Sequence, residues 1–278
     1  MQQLTNIKEN KTRMEWQEHK GAWILIPSRA LGVIHFVGGA FVAAAPQVTY
    51  RRLLEFLAKH NYVVIATPFL NTLDHTTLAA QALRQFNTGL EYIEQRNRLK
   101  RFLPVYGLGH SMGCKLHLLM TSLYGAERAG NIFLAFNNYS ASQSIPFMES
   151  VLKSENLRGL RESLSTTEFS PSPRETERMI HEGYRVRRNL LIRFQNDDID
   201  QTPRLIRILE QRPEFLITSK RLAGNHLTPL GQDWSWQPGQ DFSPLDAVGQ
   251  WLRQTLFTEL QQLEQEILHW LEPVQQYR

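Results

Sequence analysis

The stretch VYGLGHSMG at residues 105–113 decides how this chain is expected to fold. It joins an apolar, strand-like run to a helical pattern, and it places glycines two residues before and two residues after Ser111. A strand-to-helix turn this tight forces its central residue into a strained backbone conformation, and the flanking glycines let the strand and the helix approach each other. The pattern therefore predicts a Ser111 hydroxyl exposed at a helix N-terminus, where the helix dipole favours developing negative charge.

Outward from this turn, strand-like and helix-like segments alternate along the chain. The expected strands are short, apolar and rich in β-branched residues, and they cover residues 22–27, 32–37, 62–67, 104–108, 131–136, 189–194 and 214–218. The expected helices cover residues 49–60, 76–98, 111–124 and 202–211, and a last helix begins at about residue 243. This alternation predicts an α/β fold with a mostly parallel central sheet and helices on both of its faces.

One stretch, residues 139–188, breaks the alternation. It carries no obvious strand, and its run SLSTTEFSPSP at residues 163–173 is typical of a loop. Ser172, Pro173 and Glu175 then form a capping-box pattern that marks the start of a helix. We predict a cap or lid insertion at residues 139–188, after the expected strand at residues 131–136, with residues 1–138 and 189–278 forming the core. A surface decoration is the alternative.

The composition narrows the classes of function. The 31 Lys and Arg residues exceed the 27 Asp and Glu residues by four, and no basic stripe with interleaved aromatic residues is present, so we expect no nucleic-acid partner. The single cysteine, Cys114, permits no intrachain disulfide. Residues 1–14 lack an apolar signal core, and the most apolar run, residues 33–45, is too short to span a membrane. We therefore expect a cytoplasmic protein without a transmembrane segment.

The last helix carries a stripe of large aliphatic residues at helical spacing, namely Leu256, Leu260, Leu263, Ile267 and Leu271. Packing against the sheet is the expected use of such a stripe. A homodimer interface and a peripheral contact with a membrane surface are the alternatives.

Ser111 is a candidate nucleophile, because G-x-S-x-G between a strand and a helix is the nucleophile-elbow pattern. A serine nucleophile needs a base, the base needs an orienting carboxylate, and on this scaffold they follow in the order Ser, acid, His. His226 is the expected base, because it follows Gly-Asn in the loop after the last strand. Asp198 is the expected acid from its distance past a strand end, with Asp200 as second choice and Asp197 as third.

Two backbone N–H groups should hold the oxyanion that forms when Ser111 attacks an acyl carbonyl. One is expected from Met112, the residue after the nucleophile. The other is expected from Ala40 or Gly39, since the small residues of VGGAF at 37–41 let the backbone approach a tetrahedral intermediate. His35, inside the preceding strand, is expected to be a core residue.

Other chemistries fit the sequence less well. A dinucleotide fingerprint G-x-G-x-x-G that starts at Gly107 would need glycine where Met112 stands. No HExxH motif and no paired Cys/His spacing indicates a metal site. Cys114, three residues after the serine, is expected to pack as a small apolar residue. We therefore expect neither a cofactor nor a metal.

Together these residues resemble the α/β-hydrolase superfamily over nearly the whole chain, residues 16–270. More narrowly, HFVGGAF, GHSMG, FSPSPRET, FQNDDIDQT and GNHLTPL resemble the branch called domain of unknown function 1350. The superfamily resemblance implies Ser111 as nucleophile, Asp198 as acid and His226 as base. The resemblance to the branch implies the fold but no particular substrate. In two departures, Val37 occupies the position of the histidine in the lipase-type motif, and an extra residue in the acid turn makes Asp198 and Asp200 compete.

We therefore expect an esterase- or lipase-like serine hydrolase that acts on an ester or a related small acyl substrate. Apolar residues around the elbow and a large insertion suit an acyl or aryl ester better than a sugar or a peptide. A non-catalytic binding or assembly protein on the same scaffold and an acyltransferase are the alternatives, because a fold does not by itself determine a function.

Overall fold

The computed structural model describes residues 14–40, 42–96, 103–140, 168–230 and 244–272, and for residues 244–256 it describes the helical backbone alone. The strands in these ranges are β1 (Gln17–His19), β2 (Ala22–Leu25), β3 (Gly32–Val37), β4 (Tyr62–Ala66), β5 (Val105–His110), β6 (Gly130–Leu134), β7 (Arg188–Asn196) and β8 (Leu216–Asn225). The α-helices are α1 (Pro46–Thr49), α2 (Arg51–Lys59), α3 (His75–Gln95), α4 (Met112–Leu123), α5 (Pro173–Gly183), α6 (Thr202–Leu209) and α7 (Pro244–Leu271). A 3₁₀ turn covers Thr228–Leu230.

These strands form one sheet in the order β1-β2-β4-β3-β5-β6-β7-β8. The pairs β1–β2 and β2–β4 are antiparallel, and every pair from β4 to β8 is parallel. The predicted mostly parallel sheet with flanking helices is therefore confirmed. β1 was not predicted, because three residues joined to β2 by a tight turn leave no periodic signal in the sequence.

The sheet is buried on both faces by helices. Ile34, Leu108 and Ile192 belong to a core cluster with residues of α2 and α7. Phe133 and Val63, which point to the opposite face, pack with residues of α3 to α6. Because alternate residues of a strand point to opposite faces, strands covered on both sides are continuous apolar runs, as the sequence has them.

The last helix uses its aliphatic stripe to cover the sheet. Leu260, Leu263, Ile267 and Leu271 are buried in the cluster that α7 shares with α2, while the side chain of Leu256 lies outside the described residues. Within the parts of the chain that the structure describes, no helix combines the length and the hydropathy that a membrane span requires.

The described later part of the predicted insertion, residues 168–188, packs against neighbouring helices. The backbone N–H of Ser170 donates to the carbonyl of Leu73 over 2.8 Å, and that of His75 donates to Ser170 over 2.7 Å, so residue 170 is fastened beside the start of α3. Next along the chain, α5 contacts α4 and α6 in the layer of helices. A cap at residues 141–167 lies outside the described residues and stays a prediction.

The capping box at the start of α5 is present as the sequence predicts. Ser172 Oγ accepts a hydrogen bond from the N–H of Glu175, and the Glu175 carboxylate accepts from the N–H of Ser172 over 2.9 Å. These bonds satisfy N–H groups that have no partner within the helix.

We expect Ser172→Ala to lower the free energy of unfolding by about 1 kcal/mol, because it removes this N-cap. Urea unfolding measures the change. Ser219→Ala, at an exposed position of β8, is the control and should change the stability by less than about 0.5 kcal/mol. Equal stability losses in the two variants would contradict the role assigned to the cap.

Candidate active site

Ser111 lies in the sharp turn between β5 and α4. Its backbone angles are φ 54° and ψ −118°, and a positive φ is uncommon for a residue other than glycine. The N–H of Ser111 donates to the carbonyl of Leu134 at the end of β6 over 2.9 Å, which holds the turn against the sheet. Its side chain makes no capping bond to α4, so the hydroxyl is left for another partner. The structure thus contains the strained turn that the glycine spacing predicts.

The two glycines of this turn are required by close backbone contacts. A Cβ on Gly109 would lie 2.6 Å from the backbone nitrogen of Cys114, inside α4. A Cβ on Gly113 would overlap the carbonyl oxygen of Val37 and lie 2.6 Å from that of Gly38. Gly109 therefore lets β5 approach α4, and Gly113 lets α4 approach the loop after β3.

The imidazole of His226 lies between Ser111 and a carboxylate. Its Nε2 is 2.9 Å from Ser111 Oγ, and its Nδ1 is 2.8 Å from Asp197 Oδ2. Because an ionised carboxylate only accepts hydrogen bonds, Nδ1 carries the proton and donates it toward Asp197. Nε2 then has a lone pair that can accept the Ser111 hydroxyl hydrogen. The Asp197 side chain is fully buried and that of His226 is 8% exposed, so both bonds are shielded from water.

The carboxylate beside His226 is that of Asp197, and the sequence-based preference for Asp198 does not fit this geometry. The predicted strand ends at residue 194, but β7 continues to Asn196 with an irregular pairing after Phe194. Asp197 is therefore the first residue beyond the strand and turns inward, while Asp198 is exposed.

Asp200, the second choice for the acid, has another use. Its carboxylate accepts hydrogen bonds from Arg193 Nε over 2.9 Å and from the N–H of Thr202 over 3.0 Å. These bonds connect β7 to the first turn of α6. Asp200 is therefore placed to stabilise the turn that carries Asp197.

The loop after β3 lies directly against Ser111. A Cβ on Gly39 would be 3.3 Å from the Cβ of Ser111. The N–H of Gly39 donates to the Tyr50 hydroxyl over 2.8 Å, so the expectation that Gly39 could supply an oxyanion donor does not fit. The N–H of Ala40 makes no hydrogen bond with the described residues, and Met112 is the first residue of α4, where an N–H has no partner within the helix. Ala40 and Met112 thus remain the candidate donors.

Two buried side chains next to the site were not singled out from the sequence. His110 Nδ1 lies 2.7 Å from the Tyr50 hydroxyl, and His110 Nε2 lies 2.9 Å from the carbonyl oxygen of His226. Burial lowers the pKa of His110 well below its ordinary value, and the neighbouring His226 lowers it further. Burial also raises the pKa of Tyr50 above its ordinary value. His110 is therefore a neutral imidazole and Tyr50 a protonated phenol at neutral pH.

Cys114 and His35 are both fully buried core residues. The Cys114 thiol is fully buried and donates to the carbonyl of Gly109 over 3.1 Å, and burial raises its pKa well above the ordinary value. His35 is buried within β3, with its Nε2 3.0 Å from Thr67 Oγ1. Across the described ranges, no group of three or more His, Cys, Asp or Glu side chains is arranged to hold a metal ion.

A family model described as "Protein of unknown function (DUF1350)" matches residues 15–273 of the chain. No curated protein sequence matches it. The family match covers the turn at Ser111 and both loops that contribute Asp197 and His226.

Solved structures of two esterases and of one serine hydrolase share the fold over most of the chain. Esterase B from Lactobacillus Rhamnosis is 14% identical, with 91% of this chain and 88% of that chain aligned at a TM-score of 0.54. Carboxyl esterase 2 from the mycorrhizal fungus Tuber melanosporum is 13% identical, with 84% and 82% aligned at a TM-score of 0.53. The fluorophosphonate-binding serine hydrolase F of Staphylococcus aureus, with bound substrate, is 12% identical, with 89% and 97% aligned at a TM-score of 0.51. At these identities the likeness shows the α/β-hydrolase fold.

We expect Gly113→Ala to lower the free energy of unfolding by at least about 2 kcal/mol, because the new methyl group overlaps backbone atoms that cannot move independently. Gly125→Ala is the matched control. Gly125 has a positive φ with no atom within 4 Å of its Cβ position, so the control should lose only about 1 kcal/mol of backbone strain. Urea unfolding compares the two variants, and an equal or smaller loss for Gly113→Ala would contradict the contact between α4 and the loop after β3.

Proposed function

The chain belongs to the DUF1350 family, and we propose that it is a serine hydrolase that cleaves an ester or a related acyl substrate. The observation that carries the proposal is the continuous hydrogen-bonded path from Ser111 Oγ through the two ring nitrogens of His226 to Asp197. The three side chains follow β5, β8 and β7. Because the carboxyl ends of parallel strands meet at one edge of a sheet, these loops form a single crevice.

The reaction begins with attack by Ser111. His226 Nε2 takes the hydroxyl proton as Oγ forms a bond to the acyl carbon, and the carbonyl electron pair moves to its oxygen. Asp197 keeps the imidazole in the required tautomer and stabilises the imidazolium that forms. Both partners are shielded from water, which strengthens the interaction between the two charges.

The oxyanion is stabilised by the N–H groups of Met112 and Ala40. Met112 opens α4, so the positive end of the helix dipole adds to its hydrogen bond. Ala40 follows Gly39, whose position against Ser111 brings the loop within reach of the reacting carbon. Donors that are already oriented need no reorganisation during the reaction, and each contributes a large share of the catalysis.

The tetrahedral intermediate then breaks down. The bond from the acyl carbon to the leaving oxygen breaks, and the leaving alcohol receives the proton from His226. A water molecule next gives a proton to His226 and attacks the acyl-Ser111 ester. Breakdown of the second intermediate releases a carboxylic acid and returns the proton to Ser111.

The surroundings favour an apolar acyl group. Val37, Phe69 and Met112 belong to one buried apolar cluster beside the turn at Ser111. The solved neighbours named above are called esterases or, in one case, a fluorophosphonate-binding serine hydrolase, which supports esters as substrates and fluorophosphonates as probes.

We expect a fluorophosphonate probe to label the folded wild-type chain on Ser111, because attack on phosphorus uses the same nucleophile and base. Ser111→Ala should abolish labelling, and Ser219→Ala should leave it unchanged. Gel fluorescence and mass spectrometry of the labelled peptide measure the outcome. A folded wild-type chain that takes up no label would refute the proposed function and favour a scaffold used for binding without turnover.

We expect Asp197→Asn to lower kcat for an activated acyl ester by about 10⁴-fold, because the amide would favour the wrong tautomer of His226. Asp198→Asn, at the adjacent exposed position, is the matched control and should change kcat by less than about twofold. Steady-state kinetics on p-nitrophenyl acetate measures both. A larger loss in Asp198→Asn than in Asp197→Asn would contradict the assignment of the acid.

A further inference from the structure

Four buried groups form a second hydrogen-bonded chain behind the proposed catalytic residues. The N–H of Gly39 lies 2.8 Å from the Tyr50 hydroxyl, and that hydroxyl lies 2.7 Å from His110 Nδ1. At the other side of the same ring, His110 Nε2 lies 2.9 Å from the carbonyl oxygen of His226. Tyr50 is fully buried, and His110 and His226 are 1% and 6% exposed.

The donor and acceptor properties of the four groups determine the direction of each of these hydrogen bonds. The carbonyl oxygen of His226 can only accept, so Nε2 of His110 carries a hydrogen. A neutral ring with a hydrogen on Nε2 has a lone pair on Nδ1, so the Tyr50 hydroxyl donates to it. The hydroxyl oxygen still has lone pairs, and it accepts from the N–H of Gly39. Each of these bonds is thus satisfied by one arrangement of hydrogens.

This series of hydrogen bonds joins three segments that are far apart in the sequence. Gly39 belongs to the loop after β3, His110 directly precedes Ser111 in the elbow, and His226 follows β8. The rings of His110 and His226 also pack together, with centroids 5.0 Å apart. The imidazole of His110 therefore connects the turn at Ser111 to the backbone of His226 directly, and to the loop after β3 through Tyr50.

We propose that Tyr50 and His110 are positioning residues of the proposed hydrolase. His110 holds the backbone of His226 so that its imidazole stays at hydrogen-bond distance from Ser111. Tyr50 holds the N–H of Gly39, which orients the following peptide so that the N–H of Ala40 faces the oxyanion. This inference rests on the proposed function, and it assigns to Tyr50 and His110 an effect on the rate of the chemical step.

The competing explanation is that these bonds only stabilise the fold. Tyr184 offers a matched comparison, because it is another fully buried tyrosine on the opposite side of the sheet. Its hydroxyl accepts from Asn131 Nδ2 over 2.8 Å and donates to Asn189 Oδ1 over 2.5 Å. Tyr50→Phe and Tyr184→Phe thus each remove one oxygen and two buried hydrogen bonds, but only the first removes a bond next to Ser111.

The experiment measures kcat and KM for p-nitrophenyl acetate, the rate of fluorophosphonate labelling, and the urea-unfolding midpoint of the wild type and both variants. We expect Tyr50→Phe to lower kcat and the labelling rate by about tenfold or more while KM changes by less than about twofold, because positioning affects the transition state more than substrate binding. Tyr184→Phe should keep kcat within about twofold of the wild type at a comparable loss of stability. Equal kcat in the wild type and Tyr50→Phe, or an equal loss of kcat in the two variants, would overturn the inference.

Nitrogen NMR of the wild-type imidazoles tests the same inference without a variant. We expect His110 to remain neutral with its hydrogen on Nε2 between about pH 5 and about pH 8, where an ordinary histidine titrates. A hydrogen on Nδ1, or protonation of His110 in this range, would overturn the inference even if Tyr50→Phe does not fold. A wild-type chain that neither hydrolyses the ester nor takes up the probe would refute the proposed function itself, a result that is visible before any variant is compared.

Discussion

The positive φ of Ser111 is the constraint on which the site depends. A non-glycine residue in such a conformation costs about 1–3 kcal/mol, and it persists only where the surrounding structure over-determines it. Here the hydrogen bond from the N–H of Ser111 to the carbonyl of Leu134, and the close backbone contacts at Gly109 and Gly113, hold the turn in this backbone conformation. The buried sheet supplies the stability that keeps β5 and α4 at this separation.

The strained turn at Ser111 lies close to several other loops because the strands around β5 are parallel. β3, β5, β7 and β8 all end at the same edge, so a turn at the end of β5 meets the loops of the other three strands. Asp197, His226 and Gly39 come to Ser111 in this way, each held by a short backbone segment that starts from a rigid strand. Precise placement of polar groups is easier on such a scaffold than on long free loops.

The hydrogen bonds behind the site follow from the cost of burying polar groups. A buried imidazole or phenol without partners is destabilising, so His110 and Tyr50 must use their polar atoms where they lie. The atoms within reach belong to the backbone of His226 and of the loop after β3. Because a fully satisfied buried network specifies one arrangement, the requirement that stabilises the core also restricts the geometry of the site.

Particular residues show how far prediction from sequence reaches. The elbow at Ser111, the capping box at Ser172 and the alternation of strands and helices are local patterns, and the structure has them where they were expected. The preference for Asp198 does not match the geometry, because β7 continues past residue 194 with an irregular pairing, and a shift of one or two residues changes which side chains point inward. Gly39 was expected to offer a free N–H, but Tyr50, eleven residues further along, occupies it.

The sequence by itself determined the sharp turn, the order of the elements and the identity of the serine and the histidine that lie at hydrogen-bond distance. These features depend on glycine spacing, on hydrophobic periodicity and on short loops, which act over a few neighbouring residues. Only the tertiary structure decided that Asp197 faces His226, that Gly39 is already paired and that His110 lies between Tyr50 and the backbone of His226. Those outcomes depend on where groups from 11 to 116 residues apart in the sequence come within 3 Å of one another, which local periodicity does not encode.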